Sequence, residues 1–349
     1  MDSYHVIGLM SGTSLDGVDL AYCNFHYGKK WSFEILKKDF FAYSDNWKTK
    51  LQQAYNSKPE DLENLNEEYG SYLGQLVFDF IKEHKLKVDF IASHGHTIFH
   101  RPDKGYTLQI GDGNAIAKEC QFPVVYDFRS LDVSLNGQGA PLVPIGDKLL
   151  FKKFDYCLNL GGFANISTQF NEQRIAYDIC SVNLVLNYLC NKLGHTFDKD
   201  GKLGKSGQLD HNLFNNLNSL AFYLEAHPKS LGREWVESNI FPLFKKSEIS
   251  IEDQLRTYYE HIVIQIKKAI KKENASILIT GGGTHNSFLI ELFKAHKLNI
   301  VIPEKDLIDF KEALIFAFLG VLRWRNEVNC LSSVTGASRN SSGGKIVYP

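Results

Sequence analysis

Residues 4–22 read Tyr4-His5-Val6-Ile7-Gly8-Leu9-Met10-Ser11-Gly12-Thr13-Ser14-Leu15-Asp16-Gly17-Val18-Asp19-Leu20-Ala21-Tyr22. An apolar run, a turn of hydroxyls and glycines, and a second run alternating apolar with polar residues predict strand, turn, strand. The form returns further on: Tyr156 to Leu160 is apolar, Gly161-Gly162-Phe163-Ala164-Asn165 is a glycine turn, and Ile166 to Phe170 is a second strand. Either hairpin alone is an ordinary glycine turn. The pair predicts a weak internal duplication, one hairpin per lobe.

Outside the hairpins, strands alternate with helices. Leu65, Tyr69, Leu73, Leu76 and Phe80 recur at helical intervals within Asp61 to Lys85, and Leu255, Tyr259, Ile262, Ile266 and Ile270 do so within Asp253 to Lys272. Short buried strands at Val88 to Ala92 and Val124 to Phe128 end in polar groups, and Ser276 to Thr280 runs into Gly281-Gly282-Gly283 and a helix from Ser287 to His296. This alternation predicts an α/β fold with mainly parallel sheets. The 349 residues exceed the roughly 100–200 of one ordinary domain. Two lobes are expected, 1–130 and 131–349, with the last helix, Glu312 to Trp324, free to pack back on the first.

Composition narrows the function classes. Lys and Arg number 39 against 40 Asp and Glu, so no global field draws the chain to nucleic acid or an anionic membrane. A hydrophobic share of 44% supports a buried core and excludes a disordered chain. The six cysteines are scattered without the close pairing of a zinc or redox motif, which predicts reduced thiols in the cytosol. Asp16 and Asp19 come too early for a signal peptide. The apolar stretch Ala313 to Leu322, closed by Arg323 and Arg325, is about half the length needed to span a bilayer.

The first turn carries the parts that phosphoryl transfer needs. Gly12 and Gly17 let main chain approach an anion, Ser11, Thr13 and Ser14 supply donors, and Asp16 is a carboxylate suited to the Mg²⁺ side of a nucleotide. A surface turn with a solvated aspartate is the plain alternative. No full Walker-type Gly-x-x-x-x-Gly-Lys-Ser/Thr motif occurs. In Gly281-Gly282-Gly283 the missing side chains expose main chain to a flat ligand.

These elements, together with Ser93-His94-Gly95-His96-Thr97, Asp127-Phe128-Arg129, Gly137-Gln138-Gly139-Ala140-Pro141-Leu142-Val143-Pro144, Asn159-Leu160-Gly161-Gly162-Phe163, Lys229-Ser230-Leu231-Gly232-Arg233-Glu234, Gly281 to Asn286 and Thr335-Gly336-Ala337, run in order over nearly the whole chain. The set resembles the anhydro-N-acetylmuramic acid kinase family. The resemblance implies an actin-like, hexokinase-like two-domain ATPase fold with a ligand cleft between the lobes, and a cytoplasmic enzyme of peptidoglycan recycling that uses ATP and Mg²⁺. It implies a small-molecule sugar substrate, neither nucleic acid nor membrane as partner, and leaves room for a homodimer.

Residue by residue, the resemblance implies ATP contacts from Ser11, Gly12, Thr13, Ser14, Asp16, Gly17, Asp19, Gly161, Gly162, Gly281, Gly282 and Gly283, with Asp16 on the metal. It implies sugar contacts from His96, Arg129, Gln138, Gly139, Ala140, Asn183 and Glu312, and Asp178 as the base that activates water. The family's Asp-x-Gly-Pro-Gly-Asn motif reads here Asp178-Ile179-Cys180-Ser181-Val182-Asn183, keeping its ends and losing its middle, and His96 stands where many members carry glutamine. On the residues alone, Asp178 fits equally a cap on the helix Val182 to Asn191, Arg129 a partner for Asp132, and Glu312 a charge at a helix N-terminus.

Overall fold

The structure, a computed structural model, describes residues 2–12 and 15–349. Thr13 and Ser14 of the first turn lie outside the described residues. The strands in chain order are β1 (Asp2–Ser11), β2 (Gly17–Tyr27), β3 (Trp31–Ala42), β4 (Phe90–Ser93), β5 (His96–Arg101), β6 (Tyr106–Ile110), β7 (Val124–Tyr126), β8 (Tyr156–Leu160), β9 (Phe163–Phe170), β10 (Gln173–Ser181), β11 (Ile277–Thr280), β12 (Ile300–Val301) and β13 (Lys345–Val347).

Contacts divide the chain into two compact units, Met1–Leu150 with Phe310–Pro349, and Phe151–Asp309. Residues 131–150, read from the sequence into the second lobe, belong to the first unit. Asp132 there is tied to Thr335, and the Asp147 carboxylate pairs with Lys311 at 2.8 Å inside the same unit.

In the first unit the sheet order is β13-β7-β4-β1-β2-β3, with β1, β2 and β3 antiparallel neighbours and β1, β4 and β7 parallel ones. Ile7 and Leu9 of β1 pack with Tyr69, Leu73, Val77 and Phe80 from the helix Pro59–His84. Gly8 points to the other face, as strand alternation requires. A Cβ on Gly8 would collide with the Ala313 carbonyl and come within 2.9 Å of the Ala317 Cβ, so glycine here lets helical residues 313–317 seat directly on the sheet.

The second unit orders its strands β10-β9-β8-β11-β12, again an antiparallel three-strand meander followed by two parallel strands. Its core gathers Leu255, Tyr258, Tyr259, Ile262, Val263 and Ile266 of the helix Ile251–Ala269 against Leu158, Leu160, Ile277 and Ile279. That helix starts where Ser250 Oγ accepts from the Asp253 N–H at 3.1 Å. Numbered within each main sheet, with β13 left aside, the five strands follow the same order, third-second-first-fourth-fifth. The duplication expected from two hairpins therefore extends to a whole sheet, and the fold is of the α/β actin-like, hexokinase-like two-domain class.

All six cysteines are buried and none is in a disulfide. Among the described residues, no helix is long and apolar enough to cross a membrane.

Candidate active site

In the first unit, Ser11 closes β1 with its hydroxyl in a buried chain: Oγ lies 2.6 Å from Tyr43 Oη and 2.8 Å from His96 Nδ1, and Tyr43 Oη lies 2.5 Å from Tyr69 Oη. Burial pushes His96 down to about 4, so its imidazole is neutral at pH 7. Leu15 adopts a left-handed φ of 60° and its N–H reaches back to the Gly12 carbonyl at 3.4 Å. Asp16 is exposed, and its carbonyl accepts from the Tyr43 N–H at 3.0 Å. Gly17 is buried, because a Cβ there would meet the Phe40 ring at 2.8 Å. Asp19 is half-buried on β2, opposite Met10.

A second cluster in the same unit centres on Arg129. Its Nε and Nη2 donate to His94 Nε2 at 3.0 and 2.8 Å, and its Nη1 donates to the Gly139 carbonyl at 2.6 Å. Arg129 thus binds His94 and a loop carbonyl, and Asp132 receives none of its hydrogen bonds. Burial pushes Arg129 down to about 10, with Glu312 opposing that shift, and His94 is driven well below its ordinary value by burial and by Arg129. His94 is therefore a neutral acceptor, with Nδ1 2.9 Å from the Gly95 carbonyl.

Gln138, Gly139 and Ala140 follow on a loop anchored by buried Asp132. Gly139 N–H donates to Asp132 Oδ2 at 2.8 Å, and Gln138 N–H donates to the Thr335 carbonyl at 2.8 Å. Glu312 does not open a helix: the helix spans Lys305–Trp324 and places it more than a turn inside, so the N-terminal dipole account fails. Its side chain keeps solvent contact while the protein around it pushes its carboxyl upward, with Arg129 and Lys311 opposing that.

In the second unit the turn between β8 and β9 is shorter than expected. It is Gly161-Gly162, and Phe163 to Asn165 are already strand. The N–H groups of Val182 and Asn183 donate to the Gly162 and Gly161 carbonyls at 2.8 and 3.2 Å, so the start of the helix Asn183–Asn191 pins the turn. Gly281 has a φ of 85°, and a Cβ there would meet Asn159 Oδ1 at 2.5 Å and the Leu160 carbonyl at 2.9 Å. Gly282 and Gly162 face open space, Asn183 Nδ2 being 4.0 Å from a Cβ on the former and nothing lying within 4 Å of one on the latter. The structure therefore brings Gly161, Gly162, Asn183 and Gly281 to Gly283 together, with Gly162 and Gly282 exposed, Gly161 and Gly281 half-buried, and Gly283 buried against Leu160. Gly281→Ala is expected to lower stability by about 1–3 kcal/mol through its glycine-only backbone conformation, φ 85° and ψ 163°, read as a fall in the thermal unfolding midpoint.

Asp178 lies within β10 beside a register shift between Asp178 and Cys180. It is not a helix cap: Val182 precedes the helix with no side-chain cap bond, and Asp178 Oδ2 instead accepts from the Leu231 N–H at 2.9 Å, while the Asp178 N–H donates to the Lys229 carbonyl at 3.1 Å. Burial raises its carboxyl pKa, with the Leu231 bond opposing.

Sequence reasoning passed over Tyr43 behind Ser11 and Cys330 behind Asp132, and read Tyr69 only as a helix-face residue and Thr335 only within its motif, because these contacts join distant stretches of chain. The segment Lys229 to Glu234 was the one visible trace of the contact with Asp178.

Residues 4–349 match the family model described as anhydro-N-acetylmuramic acid kinase. The chain belongs to that family. A curated relative of that name from Zymomonas mobilis is 34% identical over 98% of this chain and 99% of its own length. Relatives of the same name from Sulfurimonas denitrificans and Mannheimia succiniciproducens are 33% and 32% identical, covering 97% and 100% of this chain and 98% and 100% of their own. As a member of the anhydro-N-acetylmuramic acid kinase family, the protein is a phosphotransferase.

Proposed function

We propose that this kinase converts 1,6-anhydro-N-acetylmuramic acid, water and ATP to N-acetylmuramic acid 6-phosphate and ADP, as a cytoplasmic step of peptidoglycan recycling. The observation that carries the reading is Asp178: a part-buried carboxylate with Oδ2 occupied by Leu231 and no partner among the described residues at Oδ1. Water is a poor nucleophile toward an acetal, so a carboxylate must take its proton as it attacks the anomeric carbon. As the new C1–O bond forms, the C1–O6 bond breaks. The departing O6 bonds to the γ-phosphorus while the bond to ADP breaks, so phosphorus does what a general acid does in a glycosidase.

The other residues take supporting roles in this reading. Neutral His96, Arg129, the loop Gln138 to Ala140, Asn183 and Glu312 contact the sugar, and the nucleotide contacts come from Ser11, Gly12, Thr13, Ser14, Asp16, Gly17, Asp19, Gly161, Gly162 and Gly281 to Gly283. Among the described residues there is no group of three or more metal-binding side chains. The exposed Asp16 carboxylate fits a Mg²⁺ that keeps its waters and is held mainly by phosphate oxygens. Bound there with ATP, the ion would supply neutralisation of phosphate charge.

Two rival readings start from the altered stretch after Asp178: a related kinase for another small sugar, and an ATP-binding switch without sugar chemistry. Against both, Ile179, Cys180 and Val182 are buried in the core of the second unit, and Ser181 is buried among them. The departure is thus absorbed by packing behind Asp178.

Incubation with ATP, Mg²⁺ and the anhydro sugar is expected to yield N-acetylmuramic acid 6-phosphate. Turnover of a different sugar alone would establish the first rival, and ATP binding without sugar-dependent ADP release the second.

A further inference from the structure

Strands β5 and β6 form a separate two-stranded ribbon in the first unit. Thr97 pairs with Gln109 and His100 with Thr107, and the register shifts between Thr97 and Phe99. Residues three apart on an unbroken strand point to opposite faces. The bulge returns Thr97 and His100 to one face, which is the use bulges find beside functional sites.

The hydrogen bonds confirm the alignment. Gln109 Nε2 donates to Thr107 Oγ1 at 2.7 Å and to Thr97 Oγ1 at 3.4 Å, and His100 Nδ1 lies 3.0 Å from Thr107 Oγ1. Phe99 goes the other way, its ring 5.4 Å from that of Tyr55.

This polar row joins two parts of the candidate site. His96 begins the ribbon, and His100 Cε1 would lie 3.4 Å from a Cβ on Gly139. A ribbon face turned only to solvent needs no bulge to collect its polar groups, and Thr97, Thr107 and Gln109 are half-buried.

The row also leaves a defined pair of hydrogen-bonding groups unused. Gln109 Nε2 spends both protons inside the row, so Oε1 is an acceptor with no partner among the described residues. Thr97 Oγ1 accepts from Gln109 and keeps its own proton to give. A donor beside an acceptor is the complement of a secondary amide, whose carbonyl takes one proton and whose N–H gives one. We infer that Thr97 and Gln109 form a specificity subsite that reads the acetamido group of an amino sugar. The inference rests on the sugar-kinase reading above.

Binding measured without turnover tests it. N-acetylmuramic acid and muramic acid, which has a free amine in place of the acetamide, are titrated calorimetrically into the wild-type protein, Gln109→Met and Thr97→Val. The wild type is expected to prefer the N-acetyl ligand. Both variants are expected to lose about tenfold or more of that preference, because a site built to hydrogen-bond a group discriminates strongly against its absence. Thr97→Val is nearly isosteric and half-buried, so it checks the subsite if Gln109→Met folds poorly. Equal preference in folded variants and wild type, or no preference in the wild type, overturns the inference. An intact preference with no turnover of the anhydro sugar overturns the kinase reading and leaves the subsite standing.

Discussion

Asp178→Asn is expected to give a folded protein that binds ATP normally and turns over about 10²–10⁴-fold more slowly than wild type, the contribution of a positioned general base. Asparagine keeps an oxygen for the Leu231 N–H, so the 2.9 Å bond and the strand survive. What it lacks is a basic site for the water proton.

Two pH measurements separate this from a purely structural role. Burial raises the Asp178 carboxyl above its ordinary value, and a base works only when ionised. The acid limb of the wild-type kcat/KM profile should therefore lie above the ordinary aspartate range, and it should vanish in the variant. Stability moves oppositely. A carboxyl whose pKa is higher folded than unfolded binds more protons in the folded state between the two values, so folding loses free energy as pH rises through that window. Above it, Asp178→Asn should melt no lower than wild type. Near-wild-type turnover would falsify the assignment and leave Asp178 as an anchor for residues 229–231.

Most of the fold was legible because its elements carry period-specific apolar patterns. The expected helices Asp61 to Lys85 and Asp253 to Lys272 appear as Pro59–His84 and Ile251–Ala269, and the strand before the glycine triplet appears as Ile277–Thr280. The third strand of each meander was not legible. In Trp31–Ala42, Glu34, Lys37, Lys38 and Asp39 interrupt the apolar run, as suits an edge strand. Without those strands the repeated sheet order could not be drawn.

The Glu312 error has a related cause. Residues 305–311 are too polar to read as part of a buried helix, yet they form its first turns, and Lys311 finds its partner in the distant Asp147. At the site, glycine turns and hydroxyls showed themselves locally, whereas His94 with Arg129, or Asp178 with Leu231, are pairs that only the fold assembles.

Asp132 is the hub where such long-range assembly is most concentrated, and Asp132→Ala is expected to be the most destabilising single change near the site. The side chain is buried. Oδ2 accepts from the Gly139 N–H at 2.8 Å, while Oδ1 accepts from Thr335 Oγ1 at 2.8 Å and Cys330 Sγ at 3.0 Å. Alanine strands the Gly139 N–H and the Cys330 thiol, leaves the Thr335 hydroxyl only the Leu331 carbonyl at 3.3 Å, and opens a void. Each stranded buried donor costs about 1–3 kcal/mol, less for the weak thiol, so a loss of about 3–5 kcal/mol is expected. For a unit of this size that corresponds to a fall of on the order of 10 °C in the unfolding midpoint.

Asp132→Asn should cost far less. Its oxygen can face the Gly139 N–H and its amide the Thr335 hydroxyl, which can turn to accept. The functional consequence is local, because the carboxylate holds the loop that offers the Gly139 carbonyl to Arg129. With that loop freed, amide exchange at Gly139 should accelerate, and the KM for the sugar should rise more than the KM for ATP. A variant Asp132→Ala that melts with wild type would show that Gly139, Thr335 and Cys330 find other partners, and would remove the hub from the account of how the loop is held.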